Sequence, residues 1–453
     1  MSKNQGKDLT VGEPLILILK FSLPIILGNL FQQFYNLVDI MIVGRLLGVD
    51  ALAGVGATGS INFLIIGFCC GVGAGFVIPL ANRYGAKDYD DLRKYFGNAV
   101  TLSSIIAVVL TTIVALLTMQ ILLLLNTPSN IIQYSYSYIL IIFLGIPATL
   151  AYNLVAGAVR SIGDSKTPLY LLIISCVINI FLDYLFIAPL HLGVSGAALA
   201  TVLSQVMSVI MLLIVIKKRY SLLIFSRKDL ILDRKHLINL LNMGLPMGLQ
   251  YSITAIGSVI LSASINGLGS LAVAASTAAN KISIFFSCPL DSMGSALATY
   301  GSQNLGAGKI DRIGDGLKKA SFISCIYSVL AYVILFFASA SMIHMFVTEP
   351  SPELVTLARQ FLLTVAAFYI PLVFVNLLRF LIQGLGYAKL AVAAGIMEMI
   401  ARAIAGFILV PIWGFTGASF ASPLAWFFAD AFLFPAYFII MKRLKATFSQ
   451  YHS

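Results

Sequence analysis

The sequence contains very little charge. Only 10% of its 453 residues are Asp, Glu, Lys or Arg, whereas soluble domains contain about 25%. Hydrophobic residues make up 59% of the chain, and the mean hydropathy is +0.96. A soluble enzyme is thereby excluded. The formal net charge of +11 does not by itself indicate a nucleic-acid partner, because what matters is where the charges lie.

Histidine and cysteine are also scarce. The five cysteines all lie in apolar segments without metal-ligand spacing: Cys69, Cys70, Cys176, Cys288 and Cys325. The four histidines lie in loops or at the ends of apolar segments, and no HExxH motif occurs: His191, His236, His344 and His452. An intramembrane enzyme needs a paired nucleophile and base or a metal cluster, so we expect neither an enzyme nor a metal or cofactor.

Long apolar runs predict an all-α polytopic membrane protein. A spanning helix needs about 20 mostly apolar residues, so twelve spans fill the chain. The first six are predicted at 15–44, 55–81, 97–125, 131–158, 167–188 and 195–216. The second six are predicted at 237–265, 273–302, 318–346, 354–383, 389–411 and 418–441. The first run is too long for a signal peptide, so it is kept as a span.

The two halves of the chain repeat each other. Four pairs of motifs recur at an offset of 221 to 223 residues: FSLP at 21 with MGLP at 243, YGAKD at 84 with LGAGK at 305, SIGDSK at 161 with GLGYAK at 384, and GVSGAA at 193 with GFTGAS at 414. Six spans per half give both halves the same direction, so the repeats are parallel. We predict an N-terminal lobe (1–216), a cytoplasmic connector (217–236) and a C-terminal lobe (237–453).

The basic residues predict the orientation in the membrane. Of the 29 Lys and Arg, 24 lie at the termini or in loops on one side, and the opposite loops hold only Arg45. The positive-inside rule then places both termini in the cytoplasm. A bacterial inner membrane is the expected location. Glycine-rich stretches are interpreted as packing within the bundle, so a monomer is expected.

Several ionisable residues lie inside predicted spans, where each costs about 2.5–3.5 kcal/mol, and the following seven are considered for a role: Asp39, Asp183, Lys281, Asp291, Glu398, Arg402 and Asp430. Asp39, Asp183 and Thr201 all fall roughly 9 Å below the outer surface at 1.5 Å per residue. Asn179 shares a helix face with Asp183, and Asn36 shares one with Asp39. Oxygen-bearing groups at one depth predict a cation or proton site.

Two adjacent carboxylates in a low dielectric cannot both be ionised at low cost, so the pair should share a proton or bind a cation. The alternative is structural, with Asp39 and Asp183 each capping a helix end or bonding nearby backbone. In the second half, Glu398 and Arg402 have the spacing of an intrahelical ion pair, and Lys281 is expected to meet Glu398. A salt-bridge cluster is the leading interpretation and a second coupling or gating element the alternative.

Three further features bear on transport. Pro24 lies in the first span and permits a kink, so it is either a hinge or a static bend. Tyr35, Phe285 and Phe286 are candidates to line a cavity for flat cationic compounds, or they face core or lipid. Asp291 and Asp430 stay without an assigned role.

The chain resembles the multidrug and toxic compound extrusion (MATE) transporters over almost its whole length. The resemblance is carried by FSLPIILGNLFQQFYNLVDIMIVGRLLG from residue 21, RYGAKD from 83, RSIGDSKTP from 160 and QNLGAG from 303. It implies an antiporter that exports a small organic, often cationic, compound in exchange for H⁺ or Na⁺ by rocking two lobes.

By this resemblance, Asp39, Asp183 and Asn179 are the coupling residues of the first lobe, joined by Thr201 and Asn153. One branch of the family has a carboxylate in helix seven, where this chain has Ser252 and Thr254. The chain therefore looks more like the branch that couples through first-lobe acids. A flippase or exporter of a lipid-linked or endogenous metabolite is the alternative function.

Overall fold

The computed structural model describes residues 6–125, 127–346 and 351–450, in which helices are the regular structure and no strand occurs. The α-helices in these ranges are α1 (Pro14–Leu47), α2 (Val49–Ala57), α3 (Gly59–Gly85), α4 (Tyr89–Leu124), α5 (Ile132–Leu144), α6 (Ile146–Ser161), α7 (Lys166–Ile187), α8 (Gly193–Arg219), α9 (Arg234–Asn266), α10 (Ser270–Gly306), α11 (Ile310–Phe346), α12 (Pro352–Ala367), α13 (Tyr369–Gly384), α14 (Ala388–Ile404), α15 (Val410–Trp413), α16 (Phe415–Ser419) and α17 (Ala421–Gln450). The predicted all-α polytopic fold is confirmed.

Within the described residues, ten helices or helical stretches are individually long and apolar enough to cross a membrane. Two bent pairs raise the number to twelve when each pair is counted as one span: α5 with α6, bent by 45°, and α12 with α13, bent by 52°. The spans expected at 131–158 and 354–383 therefore each consist of two helices.

A proline follows closely after each break. Pro147 is the second residue of α6, and Pro371 is the third residue of α13. Proline has no backbone N–H, and its ring clashes with the carbonyl four residues earlier. Those carbonyls belong to Phe143 and Ala367, at the ends of α5 and α12. The same interruption thus occurs in both halves of the chain.

The described chain separates into two compact units. The first comprises residues 6–8 and 23–248, and the second comprises 9–22 and 249–450. The boundary in α1 falls one residue before Pro24, and the boundary in α9 falls two residues after Pro246. The connector therefore belongs to the first unit. The division into lobes at 1–216 and 237–453, with a separate connector, stays a prediction.

In the first unit, α3 packs against α6 and α4, and α7 packs against α8. Its core includes the fully buried rings of Phe76 and Tyr95. The first half of α9 also packs on α3, with very close backbones: a Cβ added at Gly75 would lie 2.6 Å from the Cα of Gly244. Only glycine allows this approach.

In the second unit, α10 packs against α12 and α13, and α14 packs against α17. The buried hydroxyl of Tyr369 lies 3.0 Å from the hydroxyl of Ser283. The segment 9–22 is fixed here by polar contacts. The backbone N–H of Leu9 donates to Oε1 of Gln303 at 3.0 Å, and Nζ of Lys309 donates to the carbonyl of Thr10 at 2.8 Å.

Candidate functional site

Two acidic side chains meet inside the first unit. Asp39 is on α1, and Asp183 is on α7, where its side chain is 0% exposed. The two carboxyl groups lie within hydrogen-bonding distance of each other. Asp39 lies eight residues before the end of α1, and Asp183 lies four residues before the end of α7. Neither acid is therefore a helix cap.

Asn179 and Thr201 complete the polar surroundings of Asp183. Asn179 is one turn earlier on α7 and is 1% exposed. With its amide oriented by the hydrogen-bond network, its NH₂ donates to Oδ2 of Asp183 at 3.0 Å, and its oxygen accepts from the backbone N–H of Thr201 at 3.2 Å. The Thr201 hydroxyl donates to the carbonyl of Ala197 at 3.1 Å. Two helices thus fix the position of one carboxyl group.

Tyr35 belongs to the same cluster. The side chain of Tyr35, one turn before Asp39 on α1, forms a hydrogen bond with the side chain of Thr201. The structure therefore places Tyr35 against the acid pair, whereas the sequence analysis had made it only a candidate for a cavity wall.

The acid pair retains unused acceptors. Oδ1 of Asp39 and Oδ1 of Asp183 are both buried and have no hydrogen-bond partner among the described residues. None of the ion pairs found within those residues includes either acid. A carboxylate can only accept hydrogen bonds, so contact between two of them requires a proton or a cation.

One member of the cluster was not found in the sequence. Tyr138 on α5 is 8% exposed and interacts electrostatically with Asp39, Asp183 and Tyr35. It is one of three tyrosines in YSYSY, and an aromatic residue within an apolar span carries no sign of what it faces. Only the packing of α5 distinguishes Tyr138 from its two neighbours.

Two predicted members have other surroundings. Asn153 on α6 donates to the carbonyl of Thr149 at 2.9 Å and contacts Sγ of Cys70 at 3.6 Å. Asn36 is exposed on α1. Within the part of the chain that the structure describes, no hydrogen bond joins Asn153 to Asp39 or Asp183. Their assignment to the coupling site stays a prediction.

The second unit contains a different charge cluster. Nη2 of Arg379 on α13 lies 2.5 Å from Oε1 of Glu398 on α14. Nη2 of Arg402, one turn after Glu398, lies 3.7 Å from its other carboxylate oxygen. Arg402 also donates to the carbonyl of Thr254 at 3.4 Å. Glu398 is 2% exposed, and both arginines are 9% exposed. The buried acid thus faces two guanidinium groups.

Arg379 takes the place that the sequence analysis gave to Lys281. The Lys281 side chain is exposed on α10, and no ion pair joins it to Glu398 among the residues that the structure describes. The physical reason is packing: α13 packs directly against α14, which brings Arg379 to the acid. Asp291 is exposed and Asp430 is buried, and both interact electrostatically with Arg379 and Glu398.

The remaining predicted residues are placed as follows. Pro24 lies inside α1, which continues through it as one helix. Phe285 and Phe286 are half-buried on α10 in the second unit, where the carbonyl of Phe286 accepts from the Tyr327 hydroxyl at 2.9 Å. Their part in a substrate cavity stays a prediction.

The connector is attached to α4. The side chain of Asn98 donates to the carbonyls of Asp229 at 3.0 Å and Ile231 at 3.2 Å, and it accepts from the backbone N–H of Asp233 at 2.9 Å. Nδ1 of His236 lies 2.8 Å from Oδ2 of Asp233. This hydrogen bond holds the pKa of Asp233 below its usual value. The connector is therefore a fixed part of the first unit.

Among the described residues, ten to twelve helical stretches are long and apolar enough to cross a membrane, and such a repeated helical fold defines a polytopic membrane protein. The chain belongs to the MatE family, whose family model matches residues 24–185 and 246–408. These two matched segments correspond to the two repeats. Members of this family are transporters rather than enzymes, and they use no cofactor.

Curated relatives support the same family. The probable multidrug resistance protein YoeA of Bacillus subtilis is 33% identical over 336 residues, which is 73% of each chain. The multidrug export protein MepA of Staphylococcus haemolyticus is 25% identical over 412 residues, or 88% of each chain. A solved MATE family transporter in the outward-facing conformation superposes with a TM-score of 0.91 at 22% identity, covering 98% of this chain and 100% of that one. The chain is thus a multi-pass membrane transporter of a multidrug efflux family.

Proposed function

We propose that this protein exports drug-like, often cationic, organic compounds in exchange for H⁺ or Na⁺. The observation that carries the proposal is the contact between Asp39 and Asp183, because each carboxyl retains a buried oxygen without a partner among the described residues. Such a pair binds a proton or a cation in preference to remaining empty. Ionisable residues buried in membrane spans mark ion and proton pathways.

The coupling ion bound at this pair changes the charge of the first unit. Asn179 fixes Asp183, and Tyr35 and Thr201 fix the neighbouring polar surface. Loading with H⁺ or Na⁺ neutralises one carboxylate and weakens attraction for a cationic substrate, so ion and substrate compete. The lobes then alternate their access to the two sides of the membrane, with the segment around Pro24 as the hinge. Parallel repeats provide the symmetry for such a movement.

The charges of the second unit are proposed to be structural. Glu398 faces Arg379 and Arg402, so its charge is already compensated. Coupling then depends on the acids of the first unit, and the second unit supplies walls of the substrate path such as Phe285 and Phe286. The protein is proposed to work as a monomer in the inner membrane, with both termini in the cytoplasm as the positive-inside rule indicates.

The test uses the purified full-length protein and its Asp39→Asn variant in liposomes. A pH gradient and a Na⁺ gradient are imposed separately, and accumulation of a fluorescent organic cation is followed. We expect one gradient to drive accumulation by the wild type and neither to drive it by the variant. Gradient-driven accumulation by the variant equal to that of the wild type would refute the role of Asp39. An unaltered melting temperature would show that the variant is folded.

A second candidate substrate class is an endogenous metabolite. A protein of Shewanella oneidensis named "FAD transporter" is 24% identical over 339 residues, which is 74% of each chain. Counterflow of radiolabelled FAD in the same liposomes tests this class. Uptake of FAD that is abolished by Asp39→Asn, together with no movement of organic cations, would replace drug efflux with metabolite export and leave the coupling site in place.

A further inference from the structure

A groove runs along the outside of the first unit, between α4, α6 and α8. Its cavity volume is about 340 Å³, and its walls are almost entirely apolar. Each of the three helices contributes lining residues, for example Phe96 on α4, Leu154 on α6 and Leu213 on α8. On α4 the lining extends from Phe96 to Val108, which is roughly 18 Å at 1.5 Å per residue. The groove is therefore long and narrow.

The groove is open on one side. Val108 is 64% exposed and Leu213 is 46% exposed. Both residues lie on helices that are long and apolar enough to cross a membrane, so the open side faces lipid. The acyl chains of the bilayer are therefore present at very high concentration beside the groove.

One polar atom in the groove has no partner. Ser103 lines the groove and is 5% exposed, and its hydroxyl forms no hydrogen bond with any described residue. Buried hydroxyl groups are usually satisfied. A ligand with a carbonyl or ester oxygen would satisfy this one.

One end of the groove is closed by the basic connector. Phe225 of the connector lines the groove and packs edge-on against Phe96, with ring centroids 5.3 Å apart. The Thr101 hydroxyl donates to the carbonyl of Leu230 at 2.7 Å, which holds the connector on α4. Residues 217–235 contain seven Lys and Arg and two Asp. The closed end is therefore positively charged.

Lys217 has the best position to contact a ligand in the groove. It is exposed and lies one helical turn after Leu213 on α8. Residues four apart share a helix face, so Lys217 and the groove-lining Leu213 are on the same side. Lys218 and Arg219 are also exposed in this last turn. An anionic group at the end of the groove would meet this charge.

We propose that the groove binds an anionic phospholipid of the surrounding bilayer. One acyl chain extends from Ser103 past Val108, its ester carbonyl accepts from the Ser103 hydroxyl, and the phosphate lies towards Lys217 at the closed end. Basic clusters at the cytoplasmic end of spanning helices attract anionic lipids. Because Phe225 belongs to both groove and connector, the bound lipid stabilises the connector on α4. The proposal is independent of the transported substrate.

The direct test is photocrosslinking of the wild-type protein in nanodiscs. The probe is phosphatidylglycerol with a diazirine in one acyl chain, and adducts are located by peptide mass spectrometry. We expect adducts to concentrate in 103–108 and 209–213. The control surface is the exposed apolar face of α11, which includes Phe322, Ile326 and Val329. Equal labelling of both surfaces would overturn the proposal and leave ordinary annular lipid.

Variants separate the three parts of the ligand. Titration of phosphatidylglycerol and of phosphatidylcholine with the same chains is followed by the rise in melting temperature. Lys217→Gln should weaken phosphatidylglycerol about fivefold, the value of one basic residue near an anionic surface, whereas Lys442→Gln, at another exposed basic position, should not. Ser103→Ala should weaken both lipids a few-fold.

The groove itself is tested by Ala151→Phe, which fills it from α6. We expect this variant to lose the stabilisation by both lipids while keeping the melting temperature of the lipid-free protein within a few degrees. Equal stabilisation of Ala151→Phe and wild type would overturn the site. If Ala151→Phe does not fold, the crosslinking of the wild-type protein still tests the proposal.

Discussion

The two units differ in how they treat a buried acid. In the first unit, Asp39 and Asp183 contact each other, and no Lys or Arg pairs with them within the described residues. In the second unit, Glu398 lies against Arg379 and Arg402. An uncompensated pair needs an external proton or cation, whereas a compensated acid does not. A repeated fold has thus kept its helices and diverged in its electrostatics.

The largest effect is expected from removing an acid of the first unit. Asp183→Asn keeps the size and hydrogen-bonding ability of the side chain but removes the group that a proton or cation neutralises. We expect complete loss of gradient-driven accumulation in liposomes. Asp50→Asn, which changes an exposed carboxylate on α2, is the matched control and should retain wild-type transport.

The second unit should respond in its stability. Arg379→Met leaves Glu398 with the more distant Arg402 alone, and breaking a buried pair costs about 3–5 kcal/mol. The double variant Arg379→Met/Arg402→Met leaves Glu398 without either arginine and should lose more stability than Arg379→Met alone. Thermal unfolding of the purified proteins measures both. If this double variant is as stable as Arg379→Met, charge compensation is not the function of this cluster.

An intermediate effect is expected at Tyr35. Tyr35→Phe removes the hydrogen bond to Thr201 and leaves both acids in place. A single hydrogen bond contributes about 0.5–1.5 kcal/mol, so the apparent affinity for the coupling ion should fall by about two- to tenfold. Initial transport rates over a series of ion gradients measure this change. An unchanged ion dependence would remove Tyr35 from the site.

The smallest effect is expected at Lys281, which is compared directly with Arg379 as a partner of Glu398. Lys281→Gln should change the free energy of unfolding by no more than about 0.5 kcal/mol, as for ordinary exposed positions. Its side chain is exposed and makes no ion pair with Glu398 among the described residues. Destabilisation as large as that of Arg379→Met would show that Lys281 compensates the buried charge after all.

Counting residues from the loops grouped the first-unit residues correctly but chose the wrong partner for Glu398 in the second unit. Asp39, Asp183 and Thr201 were placed at one depth by counting from loops, and the structure brings all three into one cluster with Asn179. The same counting paired Glu398 with Lys281, because depth does not say which helices pack together. The contact of α13 with α14 selects Arg379 instead. Tyr138 was missed for the same reason.

The hydropathy of the sequence also did not predict the breaks between α5 and α6 and between α12 and α13. The runs at 131–158 and 354–383 are mostly apolar along their whole length, so hydropathy predicts one span for each. Pro147 and Pro371 interrupt the backbone hydrogen bonds there, and the chain bends by 45° and 52°. A proline near the middle of an apolar run is compatible with a continuous helix, as Pro24 in α1 demonstrates. A proline alone therefore does not show where a helix ends.

The extent of the first unit has a consequence for biosynthesis. This unit ends at Gly248 and includes the first half of α9, whose Gly244 packs closely on Gly75. A ribosome that has delivered only six spans to the translocon has therefore not yet supplied all of this unit. Nascent chains arrested near residue 216 should stay sensitive to protease, and resistance should arise only once residues up to 248 have been inserted.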